Sequence, residues 1–297
     1  MNKIIESVPN FSEGRDLQKI EKIVDVFRAK KNVKLLDYSN DRDHNRMVVT
    51  AIGEPESIKN VIVEAIGVAT ELIDLTVHIG EHPRIGAADV VPFIPIKNVS
   101  MEEAIELSKK VGKTVAEKYN LPVYLYEKSA SAPQRENLAN IRKGNFEGLT
   151  EKMKLFEWKP DFGTDKPHPT AGAVAIGARI PLIAYNINLN TNKLEIANAI
   201  AKKVRFSNGG LRYCKAMGVE LKEKGIVQVS MNITDYTQTS LYRVFELVKI
   251  EAKRYGITIS GSEIIGLMPI EAIVDTTSYY LGIDDFNANR IIEMNLL

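Results

Sequence analysis

Apolar residues recur along this chain in two periods, and the periods divide it into alternating strands and helices. Residues 4–8 form an apolar run closed by Pro9-Asn10. Leu17, Ile20, Ile23, Val24 and Phe27 then follow at helical spacing, with Asp16 placed to cap the helix start. Residues 33–38 and 47–52 read as strands separated by the polar loop 39–45. A helix is predicted over 55–73, with Pro55 in the first turn, where its missing N–H costs little. Residues 90–96 are apolar but hold Pro92 and Pro95, which predicts an irregular strand at a sheet edge. Ser100 and Glu103 have the spacing of a capping box ahead of Ala104, Leu107, Val111 and Val115. Residues 122–126, rich in Val and Tyr, predict one more strand.

The second half repeats this order. Strands are predicted over 182–189, 213–221, 226–233 and 257–267, and helices over 194–204 and from Leu241 through Val244, Phe245, Val248 and Ala252. Pro269 opens a terminal helix. Each half therefore begins strand-helix-strand-strand-helix-strand, the split βαβ order of ferredoxin-like folds. The fold class expected is α+β, with two ferredoxin-like subdomains, residues 1–180 and 181–297. Between the predicted elements of the two halves, residues 158–172 carry three prolines and two glycines. An irregular stretch of this length is either a linker or a functional loop.

Composition narrows the function classes. With 297 residues, 44% hydrophobic and 26% charged, the chain has the balance of a globular protein of two domains. No run approaches the roughly 18 apolar residues of a membrane span, and the acid at Glu6 interrupts anything like a signal peptide. Cys214 is the single cysteine, so internal disulfides and cysteine-based metal clusters are excluded and a reducing, cytoplasmic setting is expected. A net charge of +1 without basic clustering argues against nucleic acid as partner.

Two of the four histidines fall in His78-Ile-Gly-Glu-His-Pro-Arg84. His78, Glu81 and His82 match the H-x-x-E-H pattern of inverted zinc peptidases, which needs both histidines on one helical face. Gly80 and Pro83 break such a helix, so the stretch is a loop and no metal is expected. His78 suits a structural role at a tight turn. His82 lies between Glu81 and Arg84 on a rigid loop, where both signs of charge can tune an imidazole for general acid/base work. Asp41-Arg-Asp-His-Asn-Arg46 is a second charged cluster, which by itself reads as a solvated turn.

At these residues the sequence resembles the glutamate formimidoyltransferases, over essentially its whole length. The resemblance is carried by Val8-Pro-Asn-Phe-Ser-Glu-Gly14, Gly80-Glu-His-Pro-Arg84 with Gly86-Ala87, Asp89-Val90 and Pro92-Phe-Ile-Pro95. Pro122-Val-Tyr-Leu-Tyr126, Asp161-Phe-Gly163 and Asn186-Ile-Asn-Leu189 extend it. It implies two ferredoxin-like subdomains about a central cleft, a homodimer, and tetrahydrofolate as co-substrate. It also implies a catalytic His82 and a folate-binding segment Gly163-Thr164-Asp165-Lys166-Pro167-His168-Pro169-Thr170-Ala171-Gly172. The implied reaction moves the formimino group of N-formimino-L-glutamate to N5 of tetrahydrofolate. Asp37 or Glu81 would stabilise the substrate amidinium, Arg46 and Arg84 suit its carboxylates, and Lys166 and Arg179 suit the acidic tail of folate. Animal members carry an acid near Ser39, whose function Asp37, Asp41 or His44 would have to supply here. They also continue into a cyclodeaminase domain, whose activity is not expected of a chain ending at Leu297. Formyl transfer from N-formylglutamate is the nearest alternative, a zinc hydrolase using His78, Glu81 and His82 a more distant one, and a non-catalytic binding module the third.

Overall fold

In the computed structural model, which describes residues 3–295, the chain divides into two compact units, Met1–Arg179 and Ile180–Leu297. The first contains β1 (Ile4–Ser7), β2 (Asn10–Phe11), α1 (Leu17–Asp25), β3 (Val33–Asp41), β4 (Arg46–Gly53), α2 (Pro55–Leu72) and β5 (Ala88–Lys97). It continues through α3 (Met101–Tyr119), β6 (Val123–Glu127), three short helices α4 (Pro133–Glu136), α5 (Leu138–Arg142) and α6 (Leu149–Met153), and β7 (Val174–Ala178). β1 pairs with both β4 and β5, and β3 with β4, all antiparallel. With β2 continuing β1, the spatial order β5-β1-β4-β3 is that of a βαββαβ ferredoxin-like fold. β7 then adds parallel to β5, and β6 parallel to β7, widening the sheet to seven strands.

The second unit contains β8 (Ile183–Leu189), α7 (Leu194–Val204), β9 (Cys214–Leu221), β10 (Ile226–Ile233), α8 (Leu241–Lys253), β11 (Ile259–Ile265) and α9 (Ile270–Leu281). Its antiparallel order, β11-β8-β10-β9, is the same four-strand arrangement without the extension. The repeat in the hydrophobic pattern is thus a repeat in topology.

Local signals act as the sequence reading expects. Asp16 accepts from Gln18 N (2.9 Å) and Lys19 N (3.3 Å) at the start of α1. Ser100 and Glu103 complete a reciprocal capping box on α3. Two readings are corrected. β5 is not an edge strand: β1 and β2 flank it on one side, β7 on the other, and it is buried from Ala88 through Ile94. A proline removes only a donor, and the Pro92 carbonyl still accepts from Ser7 Oγ at 2.8 Å. The 158–172 stretch is no linker between units either, because it runs into β7 and lies wholly within the first.

Alternation along the central strands gives the first unit two cores. Val91, Phe93, Val123, Val174 and Ile176 face α1–α3, where a buried side chain of this size contributes about 1.5–3 kcal/mol. Val90, Tyr124, Tyr126, Ala173 and Ala175 face the other way, onto Ile141, Leu149 and Met153 of the short helices. This second layer matters for function, since it carries α5 and the α5–α6 turn to the histidine loop. No helix of the described residues is long and apolar enough to cross a membrane.

Candidate functional site

The β3–β4 turn is the frame on which the histidine loop hangs. Asp41 Oδ1 accepts from Asp43 N (2.9 Å) and His44 N (2.8 Å), and Oδ2 from His44 Nδ1 (3.0 Å), so the turn is closed by its own acid. Those bonds to His44 and Asp43 hold the Asp41 carboxyl below its usual range against the effect of burial, the largest single influence on it. Asn45 follows with a positive φ of 48°, a conformation asparagine tolerates better than most residues. Its Oδ1 accepts from Gly14 N (2.9 Å), its Nδ2 donates to the Ile79 carbonyl (3.0 Å), and its carbonyl accepts from His78 Nε2 (3.0 Å). A Cβ on Gly14 would lie 2.1 Å from the Asp41 carbonyl, and one on Gly80 2.4 Å from that of His44. Two distant motifs therefore each place a glycine where they pack on this turn.

His78 is a strut. Its Nε2–H is given to Asn45, and its Nδ1 accepts from Arg84 Nε at 3.0 Å. Burial, its largest influence, pushes the imidazole below its ordinary pKa. Both ring nitrogens are occupied, so the zinc arrangement through His78 does not form. Among the described residues no group of three metal-ligating side chains assembles. Arg84, itself buried, completes its fork on the His78 carbonyl (3.1 Å) and on both oxygens of Glu147, at 2.7 and 3.2 Å. Its donors are thus taken up within the protein.

His82 is held differently. Arg46 Nη1 lies 2.5 Å from His82 Nε2. A guanidinium only donates, which makes Nε2 the acceptor and puts the ring proton on Nδ1. Burial first, then the charges of Arg46 and Arg142 and the neighbouring His44, push the His82 pKa down to about 3, against a bond to the Pro83 backbone. The ring is a neutral imidazole. Arg142, from α5, is fixed on the buried carboxylate of Asp89 through Nε (2.8 Å) and Nη2, and Asp89 Oδ1 also takes the N–H of Ile85 at 2.8 Å. Ser12, His44, Asn45, Arg46, His78, His82, Arg84 and Asp89 together line a narrow, tightly packed crevice.

A larger cleft, of about 670 Å³, shares a wall with it: Arg84 lines the crevice, and its partner Glu147 lines the cleft. Asp165, Lys166, Pro167, His168 and Pro169 form one side of the cleft, and Lys154 and Lys159 add positive charge. The 163–172 loop is anchored at both ends. Before it, the Asp161 carboxylate accepts from Leu125 N and from Arg135 Nη1, both at 2.8 Å. At its end, His168 and Gly172 exchange backbone bonds, and His168 Nδ1 accepts from Ala171 N (3.0 Å). A Cβ on Gly172 would meet the Ile85 carbonyl at 2.1 Å, so the loop closes directly onto the segment between His82 and β5. Residues 163–166 between the anchors are exposed.

Of the residues singled out by sequence, the structure gathers His82, Arg46 and Arg84. Glu81 is exposed next to His82. Asp37 is exposed on β3 opposite Thr50, four residues from the Asp41–Arg46 pair, or roughly 13 Å along the strand. It is not part of the constellation. Arg179 follows β7, where it bonds Tyr126 and acts on Glu6, and it is not one of the residues that line the cleft. Sequence reasoning missed Arg142, Asp89 and Glu147 as members. Asp89 carries a signal, an acid inside the run Ala87-Ala88-Asp89-Val90-Val91, where a buried charge demands a partner. Arg142 and Glu147 carry none.

Comparison with known proteins agrees with this organisation. A family model described as the formiminotransferase domain, N-terminal subdomain, matches residues 4–179, and one described as the formiminotransferase domain matches residues 184–293. The glutamate formimidoyltransferase of Streptococcus pyogenes serotype M1 is 48% identical over 298 residues, covering 100% of this chain and 100% of that protein. That of Thermoplasma acidophilum is 45% identical, covering 99% of this chain and 97% of its own. The formimidoyltransferase-cyclodeaminase of Mus musculus is 41% identical over 94% of this chain and 53% of its own length.

Proposed function

The chain belongs to the formiminotransferase family, and from that premise we propose that it transfers the formimino group of N-formimino-L-glutamate to N5 of tetrahydrofolate, releasing L-glutamate. The observation that carries the chemistry is the neutral His82 ring, its Nε2 lone pair turned to the guanidinium of Arg46 in a lined crevice. In the reaction the N5 lone pair attacks the formimino carbon and a C–N bond forms. The proton on N5 passes to His82 Nε2. The same proton is then given to the glutamate nitrogen, the old C–N bond breaks, and glutamate leaves with the electron pair. One imidazole serves as base and then as acid, a role worth ~10²–10⁴-fold. Glu81, beside His82 and exposed, is placed to offset positive charge on the amidine.

Tetrahydrofolate is a large, anionic co-substrate, and the cleft walled by the 163–172 loop fits it in size and sign. Pockets for such ligands run to about 300–1,000 Å³, and Lys154, Lys159 and Lys166 line this one. Lys166 is assigned to the acidic tail, Gly163 and Thr164 to the exposed span that closes on the ligand, and Gly172 to the anchor.

The test is release of glutamate by the purified protein given tetrahydrofolate and formiminoglutamate, with formylglutamate as the competing donor. His82→Gln should lower turnover by ~10²–10⁴-fold with folate affinity little changed. A folded His82→Gln protein with undiminished turnover removes His82 from the chemistry.

A further inference from the structure

Arg46 is a cation without an ion-pair partner at bonding distance. Asp89, the buried acid of the crevice, is committed to Arg142 and to the Ile85 amide. Asp41 is committed to His44 and to two backbone amides. Among the described residues no carboxylate comes within ion-pair distance of Arg46, and its one side-chain hydrogen bond goes to His82 Nε2. The site therefore sets Arg46 and Arg142 against Asp89 and Asp41, two carboxylates already engaged elsewhere, and leaves Arg46 in a partly buried place with no ion pair of its own. Such a charge is costly until a counter-ion arrives. The same contact occupies the lone pair that proton transfer requires.

We propose that Arg46 is a carboxylate-operated latch on His82: a carboxylate of the incoming donor takes the Arg46 guanidinium and thereby uncovers Nε2 for the proton relay. The inference rests on the reading of His82 as that relay. A planar guanidinium pairs with a carboxylate through two parallel hydrogen bonds, which a single imidazole nitrogen cannot match. The donor class is fixed accordingly as an N-acylated or N-formimino amino acid that keeps its carboxylates free. An amide or ester analogue binds without opening the latch. Removing the donated hydrogen bond and neutralising the adjacent charge both favour the protonated ring, so His82 becomes a stronger base when the donor is seated and stays inert otherwise. The other groups facing the ring keep their places in this event: Arg142 and Asp89 from α5 and β5, Asp41 and His44 from the β3–β4 turn, His78 and Arg84 from its own loop.

The test uses the full chain with ¹⁵N-labelled histidine, His82 being assigned by loss of its signals in His82→Gln. Glutarate, a dicarboxylate with nothing to transfer, is the probe. Without it, the His82 ring should remain neutral with its proton on Nδ1 down to pH 5. Saturating glutarate should raise its pKa by about two units, leaving His78 and His168 where they were. In Arg46→Gln the higher value should be present without glutarate and insensitive to it, and the KM for formiminoglutamate should rise about tenfold or more, with that for tetrahydrofolate unchanged. Glutarate binding that leaves His82 signals and titration unmoved overturns the latch, and so does failure of glutarate to bind the wild-type chain. The second of these outcomes needs no variant at all. Failure of the relay itself has a separate signature, namely undiminished turnover in His82→Gln.

Discussion

His78 and His82 lie four residues apart in one loop, and the difference between them is which nitrogens are spoken for. His78 donates through Nε2 to a carbonyl and accepts through Nδ1 from Arg84, so it is locked into one tautomer. His78→Ala should leave Arg84 short of a partner and lower stability by about 1–3 kcal/mol, read by urea denaturation, with turnover falling less than in His82→Gln. Activity should also survive prolonged chelation; stoichiometric zinc whose removal abolishes turnover would restore the hydrolase reading. The two rings share a pH consequence. Both have folded-state pKa values below the ordinary histidine value, His82 at about 3. The unfolded chain then binds more protons than the folded one between pH about 6.5 and 3, so stability should fall as pH drops through that window. Urea midpoints at pH 7 and pH 5 measure it, and the drop should be smaller in His82→Gln. Equal drops in the two proteins would mean that His82 is not buried neutral.

At the scale of elements, whatever depends on a residue and its near neighbours was legible in the sequence. Asp16, the Ser100–Glu103 box and the stripe along α8 all act as their spacing predicts. Ser100→Ala should accordingly cost about 1 kcal/mol, visible as a lower thermal midpoint; an unchanged midpoint would show that packing alone sets the start of α3. β7 was not legible, because Val174-Ala-Ile-Gly-Ala178 is short, rich in Ala and Gly, and buried on both faces, so it shows no alternation. Helices α4–α6 were not legible either, at four or five residues each. They are held from outside. Lys152 Nζ donates to the carbonyls of Asn140, Ile141 and Lys143 at 2.5, 2.6 and 3.2 Å, and stacks 4.0 Å from the Trp158 ring centroid. Three carbonyls at the end of α5 are thus satisfied by one ammonium, and the residue between them is Arg142. Lys152→Met keeps the length and removes the donors, so α5 should fray and Arg142 lose its aim at Asp89. Turnover should fall together with amide protection across residues 138–143, while α3 and α8 keep theirs. A loss of turnover without loss of protection would place Lys152 in the chemistry instead.

At the scale of the molecule, the repeat of strand order was readable because each unit obeys it separately, with its own sheet and its own core. What the repeat hid was the asymmetry: the first unit alone adds β6, β7 and the helical layer that completes the histidine site. The 163–172 loop belongs to that addition, and its anchoring decides how folate binding should register. His168 to Gly172 are already hydrogen-bonded, and Gly172 cannot retreat from the Ile85 carbonyl. Asp161 is clamped by Arg135 and Leu125. Only residues 163–167 are left to move, and with Pro167 lacking an N–H the reporters are the amides of Gly163, Thr164, Asp165 and Lys166. A reduced folate in the adjoining cleft should slow hydrogen exchange at those four amides and around His82. Residues 170–172 should change little, and α8 in the second unit not at all. At a hundredfold excess over its dissociation constant the ligand adds ~2.7 kcal/mol to stability, enough to read as a raised thermal midpoint in the same sample. If the midpoint rises while those four amides exchange as freely as before, the folate is bound elsewhere and the exposed span takes no part in closing over it.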